Sequence, residues 1–185
     1  AADDISYCLA DIEDAVEKGI LSLSQVADLL KAQYGRYQQG KAEADWPLIV
    51  GLRGEGKHFA ALVDAALSKS RRSRGQDAGE SVYEFFIQLR VAVVHPLVQH
   101  AARQFVTHID AVCEGSLNRA LLEDGSPYQQ ITDTFKAVAL SHVFSDREVE
   151  LLEIQGFNII SGLLDVFAPL LALNHAGHTA PPARD

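Results

Sequence analysis

The residues whose types and spacing could do chemistry open the chain. Asp3, Tyr7, Asp11 and Asp14 fall within about 80° of one another on a helix turning about 100° per residue, while Ile5, Leu9, Ile12 and Val16 gather on the opposite side. One face therefore packs and the other presents carboxylates. Oxygen ligands of this kind suit hard divalent ions such as magnesium or manganese. The plainer reading is a solvated face whose acids complement the helix dipole. Asp3, Asp4, Asp11, Glu13, Asp14 and Glu17 face a single cation, Lys18, in this stretch.

The elements that must hold this stripe in place read as helices almost throughout. Ser22 with Gln25 three residues on is a capping box, and Val26, Leu29 and Leu30 follow with helical spacing toward Tyr34 and Tyr37. The stretch from Gly40 to Gly56 carries Pro47, Gly51 and Gly54 and reads as a loop pinned by Trp46, Leu48, Ile49 and Val50. A helix is expected from about Lys57 to Ser73. A long one follows from Ser81 to Val112, bent where His95 precedes Pro96. Ser126-Pro127 with Gln129, and Ser145 with Glu148, mark two further helix starts; the second helix either breaks at Gly156 or runs on to about Leu173. The expected fold class is all-α, a helical bundle.

Composition narrows the function classes. The chain has 185 residues, 48% of them hydrophobic, enough for one domain with a core, and a net charge of -9 that disfavours nonspecific attraction to nucleic acid or anionic lipid. Its two cysteines, Cys8 and Cys113, form no disulfide framework or zinc motif and are expected to be reduced, partly buried thiols, as in the cytoplasm. The most apolar stretch, Ile159 to Leu173, is interrupted by Asp165 and is shorter than the roughly 20 residues of a membrane span, so no membrane partner is expected. There is no phosphate loop, dinucleotide fingerprint or nucleophile elbow. Nothing in the sequence places serine, cysteine and histidine together, and His58, His95, His100, His108 and His142 show no ligand spacing. Arg71, Arg72 and Arg74 could meet phosphate, although cations at a helix C-terminus are favourable in themselves.

The opening stretch Ala1 to Tyr7 (AADDISY) resembles the helix that carries the last metal-binding aspartate in bacterial deoxyguanosine triphosphate triphosphohydrolases, enzymes of the HD-domain phosphohydrolase superfamily. Leu121 to Asp124 (LLED), His142 to Ser145 (HVFS) and Leu152 to Leu164 (LEIQGFNIISGLL) extend the likeness in the same order. The resemblance covers about residues 1–173, with 1–20 as the last active-site helix of the HD domain. It implies that Asp3 is a metal ligand, that Tyr7 packs on the deoxyribose and Asp11 accepts from its 3′-hydroxyl, and that Glu153 approaches the nucleotide. Asp4 reads as a helix-start or supporting acid.

The implied reaction converts dGTP to deoxyguanosine and triphosphate, with magnesium or manganese as cofactor. A hexameric homo-oligomer and a single-stranded DNA effector are implied as well. The family pattern H…HD…D is incomplete here, since none of the seven histidines precedes an aspartate and the chain contains no methionine. The expectation is therefore a fragment, inactive alone, with residues 174–185 a disordered tail. The rival expectation is a non-enzymatic helical interaction or assembly module whose acidic first helix is merely solvated.

Overall fold

A computed structural model describes residues 2–42, 45–51, 54–73 and 78–176; the side chains of 2, 3, 8, 73, 78–80 and 170–176 lie outside that description. The elements are α1 (Ala2–Glu17), α2 (Leu23–Tyr37), β1 (Leu48–Val50), β2 (Gly56–His58), α3 (Phe59–Ser73), α4 (Ala78–Thr107), α5 (Ile109–Cys113), α6 (Pro127–His142) and α7 (Arg147–Ala176). The chain divides after Phe144 into two units.

In the first unit, α1 packs on α4 and α6, α2 on α3 and α6, and α3 on α4. Ile5, Leu9, Ile12 and Val16 are all buried, as the period of α1 requires. They meet Leu30 and Tyr34 of α2, Val63 of α3, Phe86, Leu89 and Val93 of α4, and Phe135 and Val138 of α6 in one hydrophobic core. Of the three expected helix starts, two form the expected caps, and at the third Asp146 rather than Ser145 accepts from the Glu148 N–H. The Ser22 hydroxyl accepts from the Gln25 backbone N–H while the Gln25 side chain accepts from the Ser22 N–H, and Ser126 caps α6 with Pro127 in its first turn.

Three expectations need correction. The stretch from Gly40 to Gly56 is not all loop: β1 and β2 pair antiparallel with Leu48 opposite His58 and Val50 opposite Gly56. Ile49 alone of β1 points into the core. A side chain at Gly56 would start 3.0 Å from the Leu48 Cβ, so any larger residue would force Leu48 to shift. The single helix expected from Ser81 to Val112 is two: α4 ends at Thr107, with Pro96 in its interior, and the short α5 begins at Ile109 after His108. Cys113 is exposed, not partly buried, and the side chain of Cys8 lies outside the described residues.

The second unit is α7. Asp146 Oδ1 accepts from the Glu148 N–H at its start, and the helix runs through Gly156 and Pro169 to Ala176, so Asn174 to Ala176 of the expected tail are helical. Residues 177–185 lie outside the described residues. Ser81–Thr107 and Arg147–Pro169 are long and apolar enough to cross a membrane, with mean hydropathies of 1.2 and 1.4, which corrects the expectation that no stretch reaches that length. Core helices of soluble proteins meet the same measure, and the inner face of α4 is packed in the core.

Phe135 is fully buried, edge-on to Phe59 at 5.8 Å. Phe135→Ala should lower unfolding free energy by roughly 3–5 kcal/mol in urea titrations. A loss below about 1 kcal/mol would mean that the junction of α1, α2, α3, α4 and α6 is not the core.

The candidate active-site helix

Because the aliphatic face of α1 is committed to the core, the opposite face must look outward. Tyr7 is 62% exposed, Asp14 is exposed, and Asp11 is half-buried between them and the bundle. Partial burial, reinforced by the neighbouring Asp14 charge, pushes the Asp11 carboxyl above its ordinary range. Asp3 occupies the same side of the helix one turn before Tyr7, but its side chain lies outside the described residues.

Two ion pairs fix how α1 is turned. On one flank Glu13 meets Arg90 of α4 in a two-pronged pair. On the other, Asp4 accepts from Lys136 of α6 at 2.6 Å, and this hydrogen bond holds the Asp4 carboxyl below its usual range. Asp4 therefore serves the bundle, in line with a supporting role. Both pairs are partly solvated, so each contributes at most about 1 kcal/mol; their effect is mainly azimuthal.

The structure brings Tyr7 and Asp11 to one outward face beside the Asp3 backbone. Glu153 is exposed on α7, in the second unit. Arg71 and Arg72 are exposed in the last turn of α3, and Arg74 lies outside the described residues. A cavity of about 550 Å³ lies at the far end of α1, lined by Val16, Leu21, Ser24, Leu67 and Arg71 among others, away from Tyr7. Among the described residues no group of three or more histidine, cysteine, aspartate or glutamate side chains could hold a metal ion. The residues described thus do not complete a metal site, and a metal at Asp3 requires ligands from elsewhere.

One constellation escaped the sequence reading. His100 Nε2 lies 2.6 Å from Asp124 Oδ2 and 3.2 Å from Ser126 Oγ, with the ring stacked on Tyr128 at 4.4 Å. Serine, histidine and acid do come together, yet both partners share one ring nitrogen. A nucleophilic triad needs the acid on one nitrogen and the serine on the other. The Ser126 hydroxyl is also committed to capping α6. The cluster is a clamp joining α4 to the start of α6, and with His100 and Asp124 separated by 24 positions no local pattern reveals it.

An all-α bundle that turns an acidic helix face outward fits the class of HD-domain phosphohydrolases. No protein-family model matches the chain. It is 51% identical over 173 residues to a probable deoxyguanosinetriphosphate triphosphohydrolase of Pseudomonas aeruginosa, covering 94% of the chain and 33% of that protein. It is 43% identical over all 185 residues to deoxyguanosinetriphosphate triphosphohydrolases of Yersinia enterocolitica and Yersinia pestis, again 33% of their length. The chain spans about a third of the length of the curated relatives it matches. The chain is thus related over its length to a segment of the bacterial deoxyguanosinetriphosphate triphosphohydrolases.

Two titrations check this geometry. In carboxyl-detected NMR, Asp11 should titrate above the ordinary aspartate range, and Asp14→Asn should move it down; an Asp11 midpoint unmoved by that change would remove Asp14 as a neighbour. Burial raises the Asp124 pKa, but hydrogen bonds from Ser126 and His100 outweigh it and leave the carboxyl below its ordinary range. A depressed folded pKa means that the unfolded chain binds more protons. Stability from Asp124 is therefore present above the unfolded value of about 3.9 and lost as pH falls through the folded one. Urea midpoints from pH 6 to pH 3 should fall less steeply in Asp124→Asn than in the unaltered chain, and parallel slopes would contradict the clamp.

Proposed function

We propose that this chain is the nucleotide-facing segment of a hydrolase that splits dGTP into deoxyguanosine and triphosphate. The outward face of α1 carries the reading: Tyr7 is exposed and Asp11 half-buried beside it, on a helix whose orientation the core and two ion pairs fix. Tyr7 offers a flat ring to the sugar. Asp11 lies one turn further on and, as a carboxylate, accepts from a sugar hydroxyl; its partial burial strengthens such a bond by excluding water. Asp3 supplies one ligand to a magnesium or manganese ion whose remaining ligands lie outside the described residues. When bound, that ion would neutralise charge on the phosphates and lower the pKa of water. Glu153 is proposed to approach the nucleotide from the second unit, and the parent protein is proposed to be a cytoplasmic hexamer with single-stranded DNA as an effector. The names of the relatives support hydrolysis and the substrate.

Purified alone, the chain should release no triphosphate from dGTP with manganese, because one ligand cannot hold the ion. Turnover that survives repurification and disappears in Asp3→Ala would overturn this. In a full-length protein with this segment replacing the aligned third of the Pseudomonas relative, Asp3→Ala should abolish turnover and weaken manganese binding. Tyr7→Ala and Asp11→Ala should leave metal affinity within about threefold while raising KM for dGTP or lowering its preference over GTP. Silence of all three would favour the assembly-module reading.

A further inference from the structure

Beyond α4 the chain runs over the surface. No residue from Ile109 to Ala120, a stretch that takes in α5, is buried, and the chain re-enters the core only at Leu122. Apolar burial therefore does not hold this stretch down, and polar ties must. They come from one face of α4, where His100, Gln104 and His108 follow one another at four-residue spacing. His100 takes the far end of the connection through Asp124. Gln104 Oε1 and His108 Nε2 each accept from Arg119 Nη2 at 3.0 Å. The other arm of the guanidinium, Nη1, donates to the carbonyls of Ala120 and Glu123 in the connection itself and adds nothing to the hold on α4.

The chemistry of the Arg119 contact fixes a protonation state. A guanidinium has no acceptor and keeps its protons, so Arg119 donates and His108 Nε2 carries a lone pair, which puts the single ring proton on Nδ1. A second proton on His108 removes the acceptor and sets one cation against another. The His100 end responds in the opposite sense, since an imidazolium there faces the Asp124 carboxylate at 2.6 Å. The charged groups on the elements next to His108 are Arg103 on α4, Asp110 and Glu114 on α5 and its end, and Arg119 and Glu123 on the connection. Of these, Arg119 alone forms a hydrogen bond or ion pair with the His108 ring. We propose that residues 109–120 are an acid-sensitive strap, closed on α4 while His108 is neutral and loosened at the Arg119 end when His108 becomes cationic. The strap is independent of the proposed hydrolase activity.

Amide hydrogen exchange of this chain, corrected for the intrinsic rate at each pH, reads the strap through Val112, Glu114, Ser116 and Leu117, whose N–H groups bond within it. From pH 7.5 to pH 5.5, where imidazoles take up a proton, their protection should fall at least about threefold, while α6 from Ile131 to Ala139 stays level. His108→Gln offers an amide oxygen to Arg119 at either pH and should keep strap protection constant across the interval. Arg119→Met should show the lower protection at both pH values. Long-range 15N–1H spectra at pH 7.5 should place the His108 proton on Nδ1. Protection that does not change with pH, a fall that persists in His108→Gln or is shared equally by α6, an Arg119→Met strap protected like the unaltered one at pH 7.5, or a His108 proton on Nε2 would each overturn the proposal.

Discussion

The structure depends on the burial of one side of α1. Ile5, Leu9, Ile12 and Val16 enter a core supplied by α2, α3, α4 and α6, and at about 25 cal/mol per Å² of apolar surface their removal from water outweighs any single polar contact on the helix. With a period of 3.6 residues, committing these four positions leaves no freedom to the other side. Tyr7, Asp11 and Asp14 stand outward because the aliphatic residues cannot. A functional face built in this way is as rigid as the core beneath it, which is what positioned chemistry requires.

Electrostatics refines what burial decides. Glu13 to Arg90 on one flank and Asp4 to Lys136 on the other tie α1 to two helices that approach from different sides, and rotation of α1 in either sense breaks one of them. Neither contributes much to stability, since both are partly solvated. Among the described residues, these two cations pair with Glu13 and Asp4 and not with Asp11. A carboxylate that burial and a neighbouring Asp14 push upward is better prepared to accept a hydrogen bond than one already neutralised by lysine. The division between structural acids, Asp4 and Glu13, and the open acids between them is thus written into the packing.

Much of this was legible in the sequence because helices advertise themselves locally. The segregation of α1 into two faces, the capping box at Ser22 and the Ser126-Pro127 start each follow from residues within one or two turns. What escaped was short or distant. The strands β1 and β2 have three residues each with one buried side chain between them, too few for alternation to show. The break between α4 and α5 at His108 carries no glycine or proline to announce it, whereas Pro96, which does announce a bend, is accommodated inside α4. His100 and Asp124 meet only because α4 and the start of α6 are brought together by burial elsewhere. The carboxylate stripe was readable as a stripe; its chemistry was not, because the described residues supply one face of a site and not the groups opposite it.

The most direct test is a structure of the full-length chimera with manganese and a non-hydrolysable dGTP analogue. The account predicts an Asp3 carboxylate oxygen at about 2.0–2.3 Å from the metal, the Tyr7 ring against the deoxyribose and the Asp11 carboxylate within hydrogen-bond reach of a sugar hydroxyl. A bound nucleotide held elsewhere, with the outward face of α1 open to solvent, would contradict it.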